Sequence, residues 1–235
     1  MIKLLTFDLD NTLWPINEVI RRATKIKFSW LNEHYPIIKE RINEQDFVNI
    51  RNRLIQNDPL LIADLSAIRL RTIEEAAIQA GIPRNESVIL SQKAFDIFFK
   101  ERNNVQLFPH THEVLSELSQ QFDLIALTNG NSDLNIIGIA QYFSEHIKPV
   151  DAGLPKPAPD MFELALKKSN VSASESIHIG DDLVCDIEGA KSLGFKTIFT
   201  NILEKHSPES EAMADESVSH LKDLPAAIKK IISSL

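Results

Sequence analysis

Apolar and polar positions follow two different rhythms along the 235 residues of this chain. Between about residues 16 and 102 almost nothing reads as a strand. Phe95, Phe98 and Phe99 fall at i, i+3 and i+4, and Ile68, Ile73, Ala76, Ala77 and Ala80 continue another helical face. Pro36, Pro59 and Gly81-Ile82-Pro83 punctuate these runs, predicting a bundle of four or five helices. The aromatic stripes read as bundle core.

Elsewhere short apolar runs alternate with helical stretches. Strands are predicted at Lys3–Phe7, Leu124–Thr128, Ser176–Ile179 and Thr197–Thr200, with a short fifth piece near His146–Pro149. Helices are predicted near 111–121, 133–141, 158–169 and 184–193, and over Leu221–Leu235. The polar segment Glu204–Ser219 reads as a surface loop. Apolar strands separated by helices of this length imply an α/β fold, a Rossmann-like parallel sheet covered on both faces. The expected domains are an α/β core from 1–14 and 106–235, and an inserted helical cap domain over 15–105.

Composition narrows the class. Hydrophobic residues make up 43% and charged residues 25%, ordinary for a soluble globular protein. No apolar stretch reaches the length of a membrane span, and the strand-like opening run leads us to expect no export signal. The single cysteine, Cys185, excludes an internal disulfide and fits a cytoplasmic setting. Net charge is −8, unevenly spread: residues 15–105 hold 14 Lys+Arg against 12 Asp+Glu, and the remainder 11 against 21. An acidic chain without a basic stripe is a poor candidate for nucleic acid.

Four groups fall where a parallel sheet places its ligands, beyond the carboxyl ends of the strands. Asp8 and Asp10 follow the first strand. Thr128, with Asn129 and Gly130 behind it, follows the second. Asp181, Asp182 and Asp186 follow Ser176–Ile179 through Gly180, and Lys156 lies in a loop just before a helix. A carboxylate can attack phosphorus to give an aspartyl-phosphate. Carboxylates facing an anionic phosphate repel it, so a hard divalent cation is needed among them, and oxygen ligands favour Mg²⁺. Lys156 adds positive charge, and Thr128 with the amides after it can donate to phosphate oxygens. Asp10 can protonate the leaving oxygen and then activate water.

The set Asp8-Leu9-Asp10-Asn11-Thr12, Thr128-Asn129, Lys156 and Gly180-Asp181-Asp182-Leu183-Val184-Cys185-Asp186 resembles the four motifs of the haloacid dehalogenase superfamily. A helical insertion straight after the first motif resembles the cap of that superfamily's first subgroup. The resemblance implies a Mg²⁺-dependent phosphatase in which Asp8 is nucleophile and metal ligand and Asp10 is acid/base, giving its backbone carbonyl to the metal. Thr128 and Lys156 would hold the phosphoryl group. Asp181 would complete the metal site, with Asp182 or Asp186 as a further ligand or support; Asp181 is favoured as the direct ligand and Asp186 as the orienting group. Leu5–Leu13, Ala126–Asn131, Lys156–Val171, His178–Gly189 and the cap stretch Asp64–Glu74 are also similar to bacterial phosphatases of flavin mononucleotide and phosphorylated ribitylaminouracil. Riboflavin synthesis is thereby implied as a setting.

Arg69 and Arg71 in the helical segment are the specificity candidates. Trp14 has two open readings, substrate contact at the cap hinge or packing. His178 and Cys185 read as core residues, and His110 and His112 as capping or solvent-facing. The expected partner is a small phosphorylated metabolite, and the chain is expected to be a monomer or weak homodimer. Rival readings are a sugar-phosphate or nucleotide phosphatase, a phosphomutase, a 2-haloacid dehalogenase, or a non-catalytic phosphometabolite-binding module. Asp10 argues against the dehalogenase, which in the family carries a tyrosine there because no leaving oxygen needs a proton.

Overall fold

The computed structural model describes residues 1–203, 207 and 212–235. These divide into two compact units, Met1–Ile16 with Gln106–Leu235, and Asn17–Val105.

In the first unit the apolar runs form strands β1 (Leu4–Phe7), β2 (Asp123–Leu127), β3 (Glu145–Ile147), β4 (Ser176–Gly180), β5 (Lys196–Thr200) and β6 (Glu216–Val218). They make one all-parallel sheet in the order β3-β2-β1-β4-β5-β6. Every residue of β1 and β4 is buried, the polar Thr6, Ser176 and His178 included, as helices on both faces of a parallel sheet require. Leu4, Ile125, Leu127 and Ile147 of the sheet pack with Met161, Phe162 and Ala165 of the helix Asp160–Ser169. The order reverses at β1, so the crevice for a ligand opens beyond the carboxyl ends of the central strands.

Three local expectations are corrected. The stretch 133–141 is not one helix: the helix ends after Leu134–Ile137, where Gly138 adopts φ 86°. That left-handed conformation suits glycine and stops the hydrogen-bond ladder. The segment 184–193 divides into a π-helical turn, Leu183–Glu188, and a short α-helix, Gly189–Ser192. Within the stretch read as a loop, Glu216–Val218 is the edge strand β6, pairing with β5; much of Glu204–Ser219 lies outside the described residues.

The second unit is helical: α1 (Ile16–His34), whose first residue belongs to the sheet unit, then α2 (Pro36–Arg41), α3 (Glu44–Asn57), α4 (Leu65–Gln79) and α5 (Arg84–Arg102). Asn43 and Asp46 form a capping box on α3, and Asp64 accepts from the amides of Ser66 and Ala67 at the start of α4. Leu31, Ile50, Ile73, Ala76, Ala77, Leu90 and Ala94 make the bundle core. Gly81, at φ 95°, turns the chain from α4 into α5.

One charge sits awkwardly in this bundle. Lys27 of α1 is buried, with its ammonium 3.9 Å from the centre of the Phe28 ring. Burial, and then the positive charge of Arg69, lower its pKa from 10.5 to about 8. The folded chain thus holds this proton less tightly than the unfolded chain. Below pH 8 the buried charge opposes folding, and that penalty fades as pH rises from 8 towards 10.5. Thermal unfolding of wild type and Lys27→Met between pH 7 and 10.5 checks this. The variant is expected to be the more stable at pH 7, and its advantage to shrink across that window; a gap independent of pH would refute the assignment.

Candidate active site

The turn after β1 is built from its own polar side chains. Asn11 adopts φ 65°, a left-handed conformation that asparagine tolerates better than most residues. Its amide donates to the Trp14 carbonyl at 2.7 Å, and its side chain accepts from the Ile16 amide at 3.2 Å. The Thr12 hydroxyl donates to Asp8 Oδ2 at 3.2 Å. The Asp8 amide donates to the Ile179 carbonyl at 2.8 Å, tying the turn to β4.

Lys156 reaches this turn from the loop before the helix Asp160–Ser169. Its ammonium donates to Asp8 Oδ1 at 2.9 Å, Asp186 Oδ1 at 2.6 Å and the Leu127 carbonyl at 2.7 Å. All three donors are used, and the side chain is buried. Asn129 clamps the lysine's own backbone. Its Oδ1 accepts from the Lys156 amide at 2.8 Å and its Nδ2 donates to the Lys156 carbonyl at 2.9 Å. Burial alone would lower the lysine pKa, but Asp186 and Asp8 outweigh it and raise the pKa above the ordinary value.

Asp186 is the hub of the second charged turn. Its Oδ1 also meets His178 Nε2 at 3.1 Å, and its Oδ2 accepts from the Asp182 amide at 3.0 Å. Burial acts against its charge, yet Lys156 and His178 hold it well below the usual carboxylate range. His178 meets Thr6 Oγ1 through Nδ1 at 2.7 Å. Burial lowers its pKa, so the neutral ring fits, donating from Nε2 to Asp186 and accepting from Thr6 at Nδ1. Asp182 caps the π-helical turn, accepting from Val184 and Cys185. Gly180 leaves room for all this: a Cβ there would lie 2.3 Å from Asp186 Cγ.

Asp8, Asp181 and Asp186 each offer a carboxylate oxygen within 4.8 Å of the others. Against the Lys156 ammonium, three carboxylates leave two negative charges in excess. Burial, resisted by Lys156 but reinforced by Asp186 and Asp181, raises the Asp8 pKa well above normal. An all-oxygen donor set with surplus negative charge fits a hard divalent cation such as Mg²⁺. Asp186, committed at both oxygens to protein donors, is better placed to orient Lys156 and the Gly180–Asp182 turn than to turn towards an ion.

The remaining predicted residues are distributed as follows. Asp10 Oδ1 accepts from Trp14 Nε1 at 2.9 Å, and Trp14 is fully buried. Thr128 is buried at the end of β2, where its Oγ1 accepts from the Gly130 amide at 2.9 Å, leaving its hydroxyl proton to donate elsewhere. Arg69 lines a cavity inside the helical unit, while Arg71 is exposed and pairs with Asp58 at 3.3 Å. Cys185 is no poised nucleophile: burial, then Asp182 and Asp186, push its thiol up to about 11. Sequence reasoning missed Thr12 and the Leu127 carbonyl as site groups. The threonine was visible within the first motif, whereas a backbone acceptor leaves no trace in sequence.

A family model described as haloacid dehalogenase-like hydrolase matches residues 2–194. Among curated proteins, the chain is 33% identical over 195 residues to the 5-amino-6-(5-phospho-D-ribitylamino)uracil phosphatase YigB of Escherichia coli, covering 83% of this chain and 82% of that one. It is 39% identical over 211 residues to a glyceraldehyde 3-phosphate phosphatase of Pyrococcus abyssi, covering 85% and 81%. Among solved structures, a 2-haloacid dehalogenase from Pseudomonas syringae pv. Tomato superposes with a TM-score of 0.93 at 34% identity, over 98% of this chain and 99% of that one. Since the family model runs through both charged turns and the lysine between them, the chain belongs to the haloacid dehalogenase-like hydrolases.

Proposed function

We propose that this protein is a Mg²⁺-dependent phosphatase of small phosphorylated metabolites, working through an aspartyl-phosphate on Asp8. The observation that carries the reading is the Asp8 carboxylate, held by Lys156 at 2.9 Å beside Asp181 and Asp186 at the carboxyl ends of β1 and β4. Curated relatives whose names are those of phosphatases support it.

The Asp8 carboxylate attacks phosphorus, the bond from phosphorus to the ester oxygen breaks, and Asp10 gives its proton to the departing oxygen. Asp10 then takes a proton from water, whose oxygen attacks the same phosphorus. The bond to Asp8 breaks and inorganic phosphate leaves, so ester and water become alcohol and phosphate. Trp14 Nε1 fixes the Asp10 carboxyl during both transfers. Thr128 and Lys156 hold the phosphoryl oxygens, with the amides around Asn129 and Gly130 supporting Thr128. Mg²⁺, held by Asp8, the Asp10 carbonyl and Asp181 with Asp186 behind them, would offset the charge between nucleophile and phosphate.

The first substrates to test are flavin mononucleotide and the ribitylaminouracil phosphate of riboflavin synthesis, the latter being what the 33%-identical relative is named for. Of the two arginines proposed for specificity, Arg71 is engaged with Asp58. A second reading, 2-haloacid dehalogenation, draws on the neighbour of that name at 34% identity. Halide leaves without a proton, so Asp10 would have no task there. The two readings separate by phosphate release from a phosphoester panel against halide release from 2-chloropropionate, each with and without Mg²⁺.

Asp8→Asn is expected to abolish phosphate release, and a variant with full turnover would overturn the mechanism. Asp10→Ala is expected to lower kcat on alkyl phosphates by about 10²–10⁴-fold, the usual worth of a general acid. Its effect on p-nitrophenyl phosphate should be smaller in the first step, because that leaving group departs unprotonated; equal losses in single-turnover release of alcohol and of p-nitrophenol would remove Asp10 from that role. Gly180→Ala forces Asp186 to move, and overpacking of this kind costs about 1–3 kcal/mol. Denaturant unfolding should show that loss, and a Mg²⁺ titration of activity should half-saturate at a higher Mg²⁺ concentration than in wild type. Wild-type behaviour in both would show that Asp186 need not stay where it is.

A further inference from the structure

A cavity of about 930 Å³ lies wholly within the helical unit, lined from α1, α2, α3, α4 and α5. That volume is in the range that holds drug-sized ligands, roughly 300–1,000 Å³. Six cationic side chains line it, Arg21, Lys25, Lys27, Lys39, Arg51 and Arg69, against one acidic side chain, Glu44.

One of these cations is withdrawn from water and a second is half-buried. Lys27 is 9% exposed and has no hydrogen bond or ion pair among the described residues; its ammonium lies 3.9 Å from the centre of the Phe28 ring and 5.8 Å from that of Phe47. Arg69 stacks its guanidinium 4.2 Å from the Phe98 ring centre, and its buried Nε has no hydrogen-bond partner. Aromatic faces offset part of the lost hydration but offer no acceptor for the N–H groups of either residue. Buried charges are normally paired, so a cavity lined by six cations against one carboxylate, with Lys27 buried and unpaired and Arg69 Nε shielded without an acceptor, is built for an anion that arrives from outside.

The rest of the wall fixes what that anion is attached to. Phe28, Phe47, Phe95 and Phe98 line the same space with Ile38 and Ile68. Inorganic phosphate would fill little of it and touch few of these rings. We propose that the cavity binds a small organic anion with a flat apolar or aromatic body, its charged group on Lys27 and Arg69 and its body among the phenylalanines. This site is assembled from helical-unit residues alone and does not rest on the reaction proposed at Asp8.

The probe is 1-naphthalenesulfonate, an aromatic anion that no phosphatase can hydrolyse, titrated calorimetrically into the full chain. Saturable binding is expected, weakened at least tenfold by Lys27→Met and by Arg69→Met and severalfold by Arg51→Ala, an exposed position where folding is not at issue. Asp8→Asn is expected to bind as wild type does, and neutral 1-naphthol at least tenfold more weakly than the sulfonate. Absence of binding, equal binding by wild type and Arg51→Ala together with the two buried-site variants, or equal binding of 1-naphthol overturns the proposal. So does loss of binding in Asp8→Asn, which would put the probe in the phosphoryl site.

Discussion

The sheet unit depends on one buried ammonium. Lys156 spans the carboxyl ends of β1 and β2 and the turn after β4, holding Asp8, the Leu127 carbonyl and Asp186 with its three protons. A buried ion pair contributes little net stability when formed, yet removing one partner typically costs about 3–5 kcal/mol because the other charge is stranded. Here two carboxylates would be stranded. The lysine is therefore a constraint on everything around it: on Asn129, which clamps its backbone, and on Gly180, whose missing Cβ lets Asp186 approach.

The π-helical turn is the second half of that constraint. Asp182 accepts from the first amides of the turn through its side chain, while its carbonyl accepts from both the Asp186 and Ile187 amides. The wider turn brings Asp186 back over Gly180, where it takes the Asp182 amide and meets Lys156 and His178. π-Turns inside helices recur at functional sites because they re-aim a side chain at a cost in hydrogen-bond geometry. Asp186 is the residue re-aimed here.

These facts explain what could be read from the chain and what could not. Central strands were legible because burial on both faces favours short, mostly apolar runs, as in Leu4–Phe7, where only Thr6 is polar. Glu216–Val218 was not, since an edge strand of three residues with one apolar side chain has no such signature. The two aspartate turns and Lys156 stood out because charges at strand ends are costly without a purpose. The π-turn did not, because its side-chain spacing looks helical over six residues. Arg69 and Arg71 look alike in sequence two positions apart, yet one faces a cavity and the other an exposed aspartate. Lys27 gave no signal in Lys25-Ile26-Lys27-Phe28, since lack of a counter-charge is a property of tertiary packing.

Neither unit balances its own buried charge. In the sheet unit, three carboxylates outnumber the ammonium they surround, and Asp8 is pushed towards protonation by burial and its neighbours. In the helical unit the imbalance has the other sign, with Lys27 and Arg69 both held below their ordinary pKa, first by burial and then by surrounding cations. A chain selected only for stability would replace such groups with apolar ones of similar size, at little loss or some gain. Each unit instead keeps a local excess of one sign, negative around Asp8 and positive around Lys27.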